Sequence, residues 1–260
     1  PEIKNTGPAV LAATIYAEKR SKDSILFVVP SDHVIPDTAA LHSAVRLGLP
    51  ELKKGNIVTF GINPTRPETG YGYLELQDTI SNGPTKLSQF IEKPNIATAK
   101  AMIKSNNFLW NSGMFLFRAA DLIDGFKMYA PEILAAVTDS VVDGDADLGF
   151  WRLNAQHWKK SKSVSLDIAL MEKTNNLVVI PFNTKWSDLG SWHSIWEESE
   201  KDEYGVVSSG RTTAINCKNV MLRSESDSQE LVGIGLKDIV AVSMPDAVLV
   251  AHKNHTQDVK

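Results

Sequence analysis

Cysteine is nearly absent: Cys217 stands alone among 260 residues, which excludes an internal disulfide and any thiolate-built metal cluster. An excess of positive charge is absent too. With a formal net charge of -4 the chain offers no general attraction for nucleic acid, although a local basic site for a small anion stays open. No purely apolar run exceeds five residues, as in 25–29, which is far too short to span a bilayer; no secretory signal is visible, and the single cysteine fits a reducing cytoplasm. Neither a Gly-x-Gly-x-x-Gly nor a Gly-x-x-x-x-Gly-Lys-Ser/Thr phosphate loop occurs. No strand pattern precedes the first helix, 9–19, which has Asn5 or Thr6 as cap and Pro8 in its first turn. An α/β sheet ordinarily starts with a strand and a phosphate-handling loop, so an N-terminal piece is expected to be missing.

What is present reads as a globular protein, with 43% hydrophobic and 22% charged residues and enough length for one large domain and a small one. The stretch Gln89-Phe90-Ile91-Glu92-Lys93-Pro94 organises the rest. It sets an acid and a base at the end of an apolar strand that Pro94 stops. Neighbouring strand residues point to opposite faces, so Glu92 and Lys93 are not expected to form a simple ion pair, and one of them is free for a ligand.

The run 24–29 has the pattern of a strand covered on both faces in a parallel sheet, with Ser31-Asp32-His33 directly after it. Asp32 thus stands where ligands meet the carboxyl ends of strands, or else caps the helix expected over 36–47. A second strand, 56–62, leads through Arg66-Pro67-Glu68-Thr69-Gly70-Tyr71-Gly72-Tyr73, whose glycines let backbone approach a ligand while rings supply a wall. After a strand over 86–92 and a helix over 96–104, Trp110-Asn111-Ser112-Gly113 places small polar groups in an otherwise apolar run; a sugar's hydroxyls or backbone groups would satisfy them. Helices broken by Pro131 fill 119–160. The acidic run 143–147 lacks the downstream glutamate of a calcium loop and reads as a solvated turn. The segment 165–173 reads as a capped helix whose dipole stabilises Asp167. A strand over 177–182 precedes Lys185-Trp186-Ser187-Asp188-Leu189-Gly190-Ser191-Trp192, a second acid beyond a strand end. From about 208 short β-rich runs recur after polar breaks, as in small stacked coils or a β-solenoid.

Asp32 and Asp188 would lie at the same carboxyl edge of one sheet, where two carboxylates suit Mg²⁺. Lys93 offers a compact positive charge for a phosphate. With Glu92, Asn111 and the glycine-tyrosine loop as sugar contacts, the residues describe a pocket for a nucleoside triphosphate and a sugar phosphate. The chemistry would be in-line attack of the sugar's phosphate oxygen on the α-phosphate.

Six motifs in order now resemble those of bacterial mannose-1-phosphate guanylyltransferases: Asn5-Thr6-Gly7-Pro8-Ala9, Pro30-Ser31-Asp32-His33-Val34-Ile35, Arg66 through Tyr73, Phe90-Ile91-Glu92-Lys93-Pro94, Trp110-Asn111-Ser112-Gly113-Met114-Phe115 and Trp186 through Trp192. The resemblance implies GTP plus α-D-mannose 1-phosphate giving GDP-mannose and pyrophosphate, within polysaccharide biosynthesis. It implies an α/β, Rossmann-like nucleotide-diphospho-sugar transferase domain over 1–207, incomplete at its N-terminus, and a small left-handed β-helix over 208–260. It makes Asp32 and Asp188 the Mg²⁺ ligands and Lys93 the partner of the sugar phosphate. Glu92, Asn111 and Ser112 would hold mannose hydroxyls, with Tyr71 and Gly72 close to the sugar and Asn5 and Thr6 near the nucleotide. The family's N-terminal glycine-rich loop is missing, so weak or no turnover is expected of the chain by itself. A homodimer and a fused isomerase domain in the parent protein stay open; a membrane partner is not expected. Two alternatives remain beside this reading: another sugar-1-phosphate nucleotidyltransferase, or a non-catalytic fragment that binds a sugar nucleotide.

Overall fold

The computed structural model describes residues 2–78 and 83–259; Pro1 and Lys260, which close the sequence, lie outside them. The chain forms two compact units, one of residues 1–31 and 35–185, the other of 32–34 and 186–260.

The first unit is built on a six-stranded sheet of β1 (Ile25–Val28), β2 (Ile57–Ile62), β3 (Tyr73–Leu76), β4 (Thr85–Ile91), β5 (Phe108–Arg118) and, after a small hairpin of β6 (Asp145–Asp147) and β7 (Phe150–Arg152), β8 (Leu177–Pro181). Its order is β1-β5-β2-β8-β4-β3, and β3 also pairs with β5. Every residue of β2 is buried, Thr59 with its hydroxyl hydrogen-bonded, and β2 and β8 form the parallel pair at the centre. The other pairings within this sheet are antiparallel. Two expectations are corrected here. β1 pairs with β5 alone, antiparallel, at the sheet edge, and Ile25 and Phe27 are exposed rather than covered on both faces. A run of apolar residues does not distinguish an edge strand from a central one. The acidic run 143–147 is not wholly a turn, because Asp145–Asp147 pairs with Phe150–Arg152.

Helices α1 (Thr6–Arg20), α4 (Ala119–Tyr129) and α5 (Pro131–Val142) pack their apolar stripes into the main core, which gathers Leu11, Phe117, Leu122, Phe126, Val137 and Leu170. Between β1 and β2 lies α2 (Thr38–Leu52), and between β4 and β5 lies α3 (Ile96–Ser105). Asp37 caps α2 by accepting from Ala40 N–H at 2.8 Å, so the capping role considered for Asp32 belongs to Asp37.

In the second unit β9 (Val207–Ser209), β11 (Met221–Ser224) and β13 (Ile239–Ser243) form one parallel ladder, and β10 (Thr212–Ile215) and β12 (Leu231–Ile234) another. These are the stacked coils the recurring runs suggested. The corners repeat as well: Asn219 and Asp238 both take left-handed φ, and Asn219 Nδ2 donates to Asp238 Oδ1 at 3.2 Å. The last strand, β14 (Val248–His252), turns back antiparallel on β13. Among the described residues no helix is long and apolar enough to cross a membrane.

Candidate functional site

In the register of the central strands, Gly61 of β2 faces Asn111 on one side and Pro181 of β8 on the other. Asn111 therefore stands at the carboxyl ends of the parallel pair, the edge where ligands of α/β sheets are met. Its side chain is anchored at both ends. Oδ1 accepts from Thr59 Oγ1 at 3.0 Å and from Gly113 N–H at 3.2 Å, and Nδ2 donates to Asp167 Oδ1 at 3.2 Å. Its backbone N–H donates to Gly72 O at 2.8 Å, bringing the glycine-tyrosine loop alongside.

Glycine at 72 leaves room for the Glu92 carboxylate: a Cβ there would lie 2.8 Å from Glu92 Oε2 and 3.3 Å from Asn111 Cβ. Tyr71 stands edge-on to Trp110 at 5.2 Å, and the Arg66 guanidinium lies over the same indole at 5.6 Å, forming an aromatic wall.

Lys93 and Glu92 depart from the alternation expected of a strand end. β4 stops at Ile91, Lys93 turns the chain with φ 46°, and its N–H donates to Tyr71 O. Alternation no longer applies, and Lys93 Nζ reaches Glu92 Oε1 at 3.0 Å, so the two do pair. The Lys93 side chain is 63% exposed, which leaves its ammonium open to an anion, whereas Glu92 is mostly covered.

Asp167 is the residue that sequence reasoning assigned wrongly. Residues Asp167–Met171 form a π-helical turn rather than a capped α-helix, with Glu172 N–H donating to Asp167 O. Glu172 Oε1 in turn accepts from Glu92 N–H at 3.1 Å. Burial and then the charge of Glu92 push the Asp167 carboxyl up to about 6, against the pull of its own backbone N–H and of Lys93. The helix-end stabilisation expected for it is outweighed. A π-turn is a form enriched at functional sites, but its bond is between main-chain groups and no side-chain spacing announces it.

Ser112 stays apart from this cluster: it is buried, with Oγ accepting from Met114 N–H. Asn5 and Thr6 act on the cluster's support. Asn5, at φ 67°, caps Thr6 N–H, and Thr6 Oγ1 accepts from Leu166 N–H at 2.9 Å, directly before Asp167.

In the second unit, Val34 and Ser187 exchange two backbone hydrogen bonds, of 2.8 and 3.1 Å, which join the short segment carrying Asp32 to the loop carrying Asp188. Both carboxylates act on the His33 ring, raising its pKa against the larger lowering by burial. Trp186 Nε1 donates to His33 Nδ1 at 3.3 Å and stands edge-on to it. Asp188 Oδ1 accepts from Gly190 N–H, and a Cβ on Gly190 would come 2.3 Å from Asp188 Oδ2. Ser191 then caps the helix Trp192–Glu198. The Trp-Ser-Asp-Leu-Gly-Ser-Trp wording thus encodes a tight loop around one carboxylate.

The model of the nucleotidyl transferase family matches residues 1–205. The chain belongs to that family. Residues 210–260 match a second model, the MannoseP isomerase/GMP-like beta-helix domain. The xanthan biosynthesis protein XanB of Xanthomonas campestris pv. campestris is 40% identical over 260 residues, covering 100% of this chain and 55% of that protein. The mannose-1-phosphate guanylyltransferase of Escherichia coli strain K12 is 40% identical over 267 residues, with the same coverage. The chain spans about half the length of the curated relatives it matches. Among solved structures, one described as a mannose-1-phosphate geranyltransferase from Thermus thermophilus superposes with a TM-score of 0.83 at 27% identity, covering 100% of this chain and 74% of that one. Another, described as a mannose-6-phosphate isomerase from Helicobacter pylori, gives 0.64 at 32% identity, covering 72% and 71%. The nucleotidyl transferase match therefore holds the Gly72, Glu92, Asn111 and Asp167 cluster entirely.

Proposed function

We propose that this nucleotidyl transferase family member makes GDP-mannose and pyrophosphate from GTP and α-D-mannose 1-phosphate, in the cytoplasm. The observation that carries the proposal is the first unit's cluster: a close-packed glycine, an amide and two acids at the carboxyl edge of the sheet, with an exposed ammonium beside them. Acid and amide groups suit sugar hydroxyls, which need both acceptors and donors. Lys93 suits the phosphate. In the reaction an oxygen of the sugar phosphate bonds to the α-phosphorus of GTP, and the bond to the β-phosphate oxygen breaks, releasing pyrophosphate. Lys93 would orient the sugar phosphate and offset its charge, while Glu92 and Asn111 fix the ring.

Asp32 and Asp188 are the proposed Mg²⁺ ligands. Among the described residues no group of three or more His, Cys, Asp or Glu side chains is arranged to hold a metal ion. Two carboxylates acting on one His33 ring fit the sparse, all-oxygen set that Mg²⁺ accepts, since it keeps positions for water and phosphate. When bound it would neutralise charge developing on the phosphates. A fused isomerase domain in the longer protein belongs to the same proposal, on the strength of the relatives' length and of the 210–260 match.

The test is pyrophosphate release by the full-length protein with Mg²⁺, GTP and mannose 1-phosphate. Release with these, and much less with other nucleotides or sugar phosphates, is expected. Equal or greater release with another pair would shift the assignment to a different sugar nucleotidyltransferase, and binding without release would make it a non-catalytic module.

A further inference from the structure

Three carboxyl groups gather around the π-helical turn: Asp167 is its first residue, Glu172 follows its last, and Glu92 follows the end of β4. Lys93 is the cation that acts on Asp167, and its ammonium already pairs with Glu92 at 3.0 Å. From β5 the neighbour is neutral Asn111. Burying one acid beside another costs stability, and such an arrangement at a sheet's ligand edge marks a working group.

The orientation of the Asn111 amide is set by Gly113 N–H, which needs the oxygen on its side, while the Thr59 hydroxyl shares its single proton between that oxygen and Met114 O. Its NH₂ therefore faces Asp167, and Asp167 Oδ1 takes one of its two hydrogens. The second amide hydrogen remains, and the carboxyl, which also takes its own backbone N–H, keeps accepting capacity, so a donor and an acceptor stand side by side. Two neighbouring hydroxyls of a sugar match them, one accepting from the amide and the other donating to the acid.

Resting on the functional reading above, we infer that Asp167 is a substrate-positioning residue that, with Asn111, holds a hydroxyl pair of the sugar and determines which epimer is accepted. Inverting one hydroxyl removes a partner from a desolvated acid, and sites built to hydrogen-bond a hydroxyl discriminate strongly against analogues that fail to supply it. The acid's ionisation then tunes sugar binding. The ionised form is the stronger acceptor, so affinity for the sugar phosphate is full at alkaline pH and falls as pH drops through about 6.

The test titrates α-D-mannose 1-phosphate, its C2 epimer α-D-glucose 1-phosphate and GTP into wild type, Asp167→Asn and Asn111→Ala, by calorimetry from acid to alkaline pH. Asp167→Asn keeps an acceptor for the Asn111 amide, so the fold is expected to persist, checked by its thermal transition. It should weaken mannose 1-phosphate about 10- to 100-fold at alkaline pH, with GTP affinity changed by less than about twofold. Its preference for mannose over glucose should narrow, as should that of Asn111→Ala. Because the sugar phosphate itself titrates, the wild-type profile minus that of Asp167→Asn isolates the acid. Unchanged epimer preference and an unchanged pH profile in Asp167→Asn would overturn the inference while leaving the functional reading intact. Absence of mannose 1-phosphate binding to wild type would overturn both.

Discussion

The side-chain amide of Asn111 donates to Asp167 Oδ1 across 3.2 Å, joining β5 to a π-helical turn 56 residues further on. Burial, with the Glu92 charge behind it, raises the pKa of that carboxyl group, while the amide steadies its position.

The linkage follows in sign. Asp167 rises from 3.8 to about 6 on folding, so the folded protein gains from protonation; that gain is full at about pH 4 and below, and is lost as pH rises through about 6. Between about pH 4 and pH 8, Asp167→Asn should therefore shift by about 3 kcal/mol in its favour relative to wild type. Denaturant unfolding at the two pH values measures it. A stability difference independent of pH would contradict the assignment of the buried acid.

Gly72→Ala should act on the ligand more than on the fold. The added methyl meets Glu92 Oε2 at 2.8 Å, the movable end of a side chain, so the carboxylate swings away at a cost of about 1 kcal/mol or less. Mannose 1-phosphate affinity should fall about tenfold by the loss of one charge-assisted hydrogen bond. Calorimetry and thermal unfolding on the same sample separate the two effects; a large loss of stability with intact binding would contradict the site.

Gly190→Ala should alter the demand for Mg²⁺. The new Cβ would fall 2.3 Å from Asp188 Oδ2, too close to coexist, so the carboxylate must turn out of its present place. The Mg²⁺ concentration for half-maximal pyrophosphate release should rise about tenfold or more, the order seen when support around a metal ligand is removed. An unchanged Mg²⁺ dependence would remove Asp188 from the proposed ligand set.

Much of this was legible in the chain, and the failures have physical causes. The strand over 56–62 and the largely apolar stretch 108–118 were legible, because mostly apolar segments of that length have to be buried. The coils after residue 208 showed through their recurring polar breaks. The edge position of β1 did not show, since Ile25 and Phe27 look the same in sequence whether covered or exposed. The Glu92 and Lys93 pair was missed because strand alternation was extended past Ile91, where the left-handed Lys93 ends it. Asp167 was missed because its environment is assembled by Glu92 and Asn111, 75 and 56 residues away, and no local pattern carries that.

The most direct measurement is the ³¹P resonance of α-D-mannose 1-phosphate titrated with the full-length protein and with its Lys93→Ala variant. Wild type should shift or broaden the signal in a saturable way, while Lys93→Ala, stripped of the ammonium beside Glu92, should need about 10- to 100-fold more protein for the same change. No perturbation by wild type, or an identical titration by the variant, would contradict the reading of this cluster as a sugar-phosphate site.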